Sequence, residues 1–160
     1  MGIDRSRMAR GAAAGGIAGA VWALQQPLDK RVLRCAYDDV ELLGRAVVSS
    51  PGAARRRWYP LGLAMHMQNG ATFGAVYAAL IAPRLGVVPP ALRGPLVAQV
   101  ENFGSWPLGR LSDRFHPARE QLPRLTGNRR ALAQATWRHL LFGVVLGELE
   151  RRWNGGRRGT

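Results

Sequence analysis

Trp58-Tyr59-Pro60-Leu61-Gly62-Leu63-Ala64-Met65-His66-Met67-Gln68-Asn69-Gly70-Ala71-Thr72-Phe73-Gly74-Ala75-Val76-Tyr77-Ala78-Ala79-Leu80-Ile81-Ala82-Pro83 runs for 26 residues without a formal charge when His66 is neutral. About 20 mostly apolar residues cross the hydrocarbon core of a bilayer as a helix, so the stretch is long enough. Its hydropathy is moderate because His66, Gln68 and Asn69 lie inside it. Length and absence of charge carry the reading. Gly11 to Leu28 is a second uncharged stretch, of 18 residues and rich in Ala and Gly. Together they predict an all-α fold, a small transmembrane helical bundle.

Two further segments extend the pattern less cleanly. Ala91–Gly109 is interrupted by Glu101, and Ala131–Leu149 by Arg138 and Glu148. The expected spans are then 11–28, 61–82, 91–109 and 131–149. Trp58, Tyr59, Trp106 and Trp153 fall near span ends, where amphipathic rings collect at the membrane–water interface. A soluble core could also use five Trp residues, but it leaves the uncharged stretches unexplained.

The chain has 160 residues, enough for one domain. It carries 23 basic residues against 10 acidic ones, a formal charge of +13, and its only lysine is Lys30. Such an excess implies an anionic partner: lipid headgroups, nucleic acid or an acidic protein. Cys35 is the single cysteine, which excludes an internal disulfide and a cysteine-based zinc site. The basic Met1–Arg10 followed by an apolar run looks like a signal peptide. The run ends in Gln25-Gln26-Pro27-Leu28-Asp29 without a convincing small-x-small cleavage site, so the segment is expected to stay as a first helix.

Polar segments separate the spans. Asp29–Pro60 holds a surface helix over Asp38–Val48, whose acidic start (Asp38, Asp39, Glu41) suits a solvated helix N-terminus and which Pro51-Gly52 closes. Arg110–Arg130 contains Pro117, Pro123 and a turn at Thr126-Gly127-Asn128. Pro83–Pro90 is a short link that would make the second and third spans antiparallel neighbours.

An internal repeat is the most specific pattern. His66-x-x-x-Gly70-x-x-x-Gly74 in the second span matches His139-x-x-x-Gly143-x-x-x-Gly147 in the fourth. Positions four apart share a helix face, so each His stands in line with two glycines. Gly11, Gly15 and Gly19 form a related stripe in the first span. A looser echo links Trp22, Pro27 and Asp29-Lys30 to Trp106, Pro107 and Asp113-Arg114. The four spans would thus form two parallel two-helix repeats. Small residues four apart let helix backbones approach closely in lipid, where apolar side chains gain little from leaving the hydrocarbon.

The early Gly/Ala helix ending in Pro27-x-Asp29, followed by His66-x-x-x-Gly70-x-x-Phe73-Gly74-x-x-Tyr77, resembles small multi-pass bacterial inner-membrane proteins of the YagU-like kind. The resemblance covers mainly the first two spans. It implies an inner-membrane helical protein and brings no reaction or catalytic residue with it.

Ionisable groups inside spans face the bundle interior and mark pathways or pairs. Glu101 and Arg138 sit mid-span and are expected to pair, with His66 and His139 as further intramembrane polar candidates. Gln25, Gln26, Gln68, Asn69, Gln99, Asn102 and Gln134 add interhelical hydrogen bonds. Two imidazoles on separate helices could ligate haem, but a hydrogen-bonding role is the simpler expectation, and neither cofactor nor metal is expected. Walker A, Gly-x-Gly-x-x-Gly, His-Glu-x-x-His and Gly-x-Ser-x-Gly motifs are absent, so no enzyme class is indicated.

The leading expectation is a structural or accessory protein of the bacterial inner membrane, with the lipid bilayer and a second copy or another membrane protein as partners. The second is a small transporter or proton conductor using Glu101, Arg138 and His66. The third is a basic soluble helical protein binding nucleic acid through Arg55-Arg56-Arg57, Arg129-Arg130 and Arg157-Arg158. The uncharged 58–83 stretch speaks against it.

Overall fold

The structure is a computed structural model that describes residues 4–155 except Ser49 and Pro51. Arg157-Arg158 lies outside the described residues. Helix α1 (Arg5–Leu33) starts where the Asp4 carboxylate accepts the Arg7 amide at 2.9 Å, an N-cap that satisfies one free backbone donor. It runs through Pro27 and ends at Arg34, which takes a left-handed conformation at φ 49°. The expected loop start at Asp29 is therefore the last-but-one turn of α1.

Helix α2 (Asp39–Val47) is capped by Asp38, which accepts the Glu41 amide at 3.0 Å. Helix α3 (Arg55–Val76) continues into a wide π turn over Tyr77–Ile81 and a 3-10 turn over Ala82–Arg84. Helix α4 (Pro90–Ser105) has proline in its first turn, where a missing N–H does no harm. A 3-10 turn at Trp106–Leu108 leads into the short α5 (Gly109–Phe115). Gly127, at φ 74°, makes the turn before Asn128 caps α6 (Arg129–Asn154) by accepting the Ala131 amide at 3.1 Å. The described residues are all-helical, without strands.

Glycine contacts set the helix pairing. α1 runs antiparallel to α3: a Cβ on Gly11 would strike the Gly74 carbonyl, and one on Gly15 the Gly70 carbonyl. α4 runs antiparallel to α6 through Gly94, which lies against Gly143 and Gly147. α2 crosses the start of α3, with Gly44 and Gly62 in backbone contact. α1 and α6 join the two pairs, so the spatial order is α2–α3–α1–α6–α4.

The Pro83–Pro90 link does not make α3 and α4 packed neighbours, contrary to expectation; no extended packing joins them. Their glycine faces turn toward α1 and α6 instead. A cleft is left between them.

The interior mixes small, aromatic and polar groups. Ala14, Ala18, Trp22, Tyr77, Ala98, Phe142 and Leu146 form one apolar cluster. Gln26, Asp29, Asn102, Gln134 and Arg138 are buried beside it. The outer faces expose large apolar side chains, Ile17, Leu24 and Leu28 on α1, Leu96 and Val100 on α4, Trp137, Leu140 and Val144 on α6, beside the exposed polar Gln68 and Asn69 on α3, which are not the interhelical groups expected, and Glu101 on α4.

Among the described residues no helix is long and apolar enough to cross a membrane. The expected spans are helical, but polar residues and glycines lower the apolarity of α1, α3 and α6, and α4 is only 16 residues long. Trp58 is also not at a surface. It is 6 % exposed, packed under α2 with the Arg45 guanidinium 5.1 Å from its ring centroid.

Candidate functional site

Arg138 is completely buried near the middle of α6, and its partners come from the other end of the sequence. Its Nε donates to Asp29 Oδ2 and its Nη2 to Asp29 Oδ1, both at 2.6 Å, while Nη1 donates to Asp39 Oδ2 at 2.7 Å. A planar guanidinium suits such two-point binding of a carboxylate. The expected Glu101–Arg138 pair is not formed. α6 turns Arg138 toward α1 and α2, and Glu101 on α4 meets the next residue, His139.

Spacing on each helix supplies the second layer of donors. Gln25 stands four residues before Asp29 and gives its Nε2 to Asp29 Oδ2 at 2.7 Å. Gln134 stands four before Arg138 and gives its Nε2 to Asp29 Oδ1 at 2.8 Å. Asp39 receives the Tyr37 hydroxyl at 2.5 Å and the Trp22 indole N–H at 3.1 Å. A buried ion pair is tolerable only when its remaining lone pairs are satisfied in this way.

Asp39 is thus drawn inward and is not part of a solvated helix start. Only its neighbours behave as expected of that start: Asp38 caps α2, and Glu41 pairs with Arg45 at 2.6 Å. Burial opposes ionisation of Asp39, yet the Arg138 guanidinium and the Tyr37 hydroxyl hold its carboxyl below the usual carboxylate range. Burial, reinforced by the Asp39 charge and its hydrogen bond, pushes the Tyr37 phenol well up, so it stays a donor.

Next to this network lies a cavity of about 280 Å³ in the cleft between α3 and α4. Trp22 forms part of its floor; His66 and Phe73 line the α3 side, and Glu101 the α4 side, with His139 and Phe142 from α6. The Trp22 ring lies edge-on to both imidazoles, with centroids 5.2 Å from His66 and 4.6 Å from His139.

His139 has an acceptor at each nitrogen. Nδ1 lies 2.7 Å from the Ala135 carbonyl oxygen, and Nε2 lies 2.8 Å from Glu101 Oε2. A carbonyl oxygen only accepts, so Nδ1 carries a hydrogen.

His66 is 7 % exposed, and its Nε2 is buried without a hydrogen-bond partner among the described residues. His116 is engaged structurally: its Nδ1 accepts the Ala118 amide at 3.1 Å, which leaves Nε2 to donate to the Leu42 carbonyl at 2.9 Å. It ties the segment after α5 to α2.

Sequence reading found Glu101, Arg138, His66 and His139, and the structure brings all four around Trp22 and Asp39. It missed Asp29, Asp39 and Tyr37. The four-residue spacing of Gln25 with Asp29 and of Gln134 with Arg138 was a usable signal for Asp29. Asp39 carried none, because an acidic first turn reads as solvated by default. Comparison with protein-family models, with curated proteins and with solved structures finds no match.

Proposed function

We propose that this chain is a small multi-pass integral protein of a bacterial inner membrane, acting as a structural or accessory bundle around a polar centre. One observation carries the reading: the bundle buries charged and amide side chains and exposes many large apolar ones, although Gln68, Asn69 and Glu101 are exposed as well. Arg138, Asp29, Gln134 and Asn102 are buried, while Leu24, Leu96, Val100, Leu140 and Val144 are exposed. Mean hydropathy counts both faces of a helix, whereas lipid meets only the outer one.

Charge placement agrees. Gly11–Leu28 and Trp58–Pro83 carry no charge, and as helices they measure about 27 Å and about 39 Å, near or above the roughly 30 Å hydrocarbon thickness. Arg5, Arg7, Arg10, Arg84, Arg93, Arg151 and Arg152 cluster at one end of the bundle. Lys30, Arg31, Arg34, Arg55–Arg57 and Arg129–Arg130 cluster at the other. Basic groups at both ends suit two headgroup layers. A nucleic-acid interface would instead call for one continuous basic face. The YagU-like resemblance points the same way.

The test is fractionation of expressing cells with carbonate and high-salt washes. The protein should remain with the membranes. Release by either wash would reduce it to a peripheral basic protein and sink the reading.

A second reading, a small proton-conducting or transporting protein, is favoured by the contact of two ionisable groups, Glu101 Oε2 and His139 Nε2 at 2.8 Å, at the wall of a cavity. Purified protein in liposomes should then collapse an imposed pH gradient faster than empty liposomes, and Glu101→Gln should remove the difference.

A further inference from the structure

On the outer side of the bundle, α1 and α3 leave a groove of about 410 Å³ between them. Ala12 on α1 and Ala71, Ala75 and Ala79 along α3 and its π turn line it, with Met8 and Leu80 toward one end. Apart from Gln68 and Thr72 the lining is apolar. Met8, Val76 and Leu80 are exposed along it, and a contiguous exposed apolar surface marks a place of interaction.

The Met8–Leu80 end is basic. Gly11 lies against Gly74 and Gly15 against Gly70, and in that antiparallel register Arg5 stands level with Leu80. Arg84 follows Leu80 by four residues, and its Nη1 donates to the Leu80 carbonyl. The second guanidinium is thereby held at the height of the first. Both arginines are exposed. Among the described residues neither pairs with a carboxylate: Asp4 accepts from Ser6 and Arg7, Glu150 pairs with Arg7, and Glu148 pairs with Arg151 and Arg152. A guanidinium has five N–H donors, so Arg84 keeps several for an anion.

Length and charge together select the occupant. From Gln68 to Leu80 the groove runs about 18 Å at the helical rise, close to half of the roughly 30 Å hydrocarbon core. A second copy laid on the same face about a two-fold axis would set Arg5 and Arg84 against the same charges. A single apolar chain ending in an anion meets no such repulsion.

We propose that this groove seats one acyl chain of an anionic phospholipid, with the headgroup phosphate between Arg5 and Arg84. The proposal rests on the membrane reading above. A zwitterionic headgroup brings its own cation beside the two guanidiniums, so the site prefers a lipid with net negative charge.

The experiment is native mass spectrometry of the full chain in detergent, titrated with phosphatidylglycerol, phosphatidylcholine or glycerol phosphate. One phosphatidylglycerol per chain should be retained, at least about fivefold more tightly than phosphatidylcholine, and glycerol phosphate should neither bind nor compete. Arg5→Gln and Arg84→Gln should each weaken phosphatidylglycerol binding about fivefold, the scale of one basic residue at the headgroup level. Arg56→Gln, at the opposite end of the bundle, should leave it unchanged. Ala75→Leu should fill the groove and weaken both lipids. Equal affinity for the two lipids, equal losses from all three arginine variants, or competition by glycerol phosphate would overturn the site. So would a lipid-free dimer that Ala75→Leu dissociates. All four positions are outside the buried core; should a variant fail to fold, the lipid series on the unaltered chain decides. Lipid preference is read on the solubilised chain whatever the carbonate wash shows, so failure of the groove and failure of the membrane reading are separate results.

Discussion

Arg138 and Asp29, 109 residues apart, meet in a two-point ion pair with both hydrogen bonds at 2.6 Å, and neither side chain reaches solvent. The pair joins α1 to α6 across the centre of the molecule, and Asp39 makes it a triad with α2.

Breaking that pair from one side should leave a buried charge without its partner. Arg138→Met is expected to destabilise the fold by about 3–5 kcal/mol, and Asp29→Asn to be strongly destabilising too. The double variant should recover part of the sum. Chemical unfolding of the three variants forms a double-mutant cycle; simple additivity would show that the two residues are not coupled.

Glycines in contact and glycines in the open should respond with opposite signs. A Cβ on Gly70 would lie 2.7 Å from the Gly15 carbonyl oxygen, whereas one on Gly104 meets nothing within 4 Å. Gly70→Ala should cost about 1–3 kcal/mol through forced separation of α1 and α3. Gly104→Ala should instead gain up to about 1 kcal/mol from helix propensity. Thermal unfolding of both variants measures the contrast, and equal shifts would remove the close contact from the argument.

Tyr37→Phe deletes a donor to the Asp39 carboxylate and leaves its shape. A hydrogen bond to a charged group contributes about 1.5–3 kcal/mol, so a loss of that size is expected. Tyr59→Phe, at the partly exposed start of α3, should stay within about 0.5 kcal/mol. Comparable losses at both positions would deny Tyr37 its special role.

Asp113 links α5 to the approach of α6 by accepting the Leu125 and Thr126 amides, both at 2.8 Å. Burial works against its ionisation, but these hydrogen bonds outweigh it and hold the carboxyl below its ordinary 3.8. A depressed folded value means that the contribution is complete above pH 3.8 and fades as pH falls through the folded value. Amide exchange at Leu125 and Thr126 should therefore accelerate, relative to the intrinsic rate, only below about pH 4. In Asp113→Asn that pH dependence should vanish.

Periodicity and charge spacing in the sequence alone determined that the chain is helical, where its long uncharged helices run, and which glycines share a face. Those properties are local: a helix repeats every 3.6 residues whatever surrounds it. Gly70 and Gly74 could be read as a packing stripe because the stripe lies within one helix. The partner of that stripe could not. Only the tertiary structure decided that Arg138 turns to Asp29 and Asp39 while Glu101 turns to His139, since adjacent residues on α6 point about 100° apart and the helix rotation selects what each one meets. It likewise decided that α3 and α4, joined by a short link, stand apart. Glycine faces bind each of them to a different helix, and the cavity exists because a short connection in sequence is not the closest packing in space.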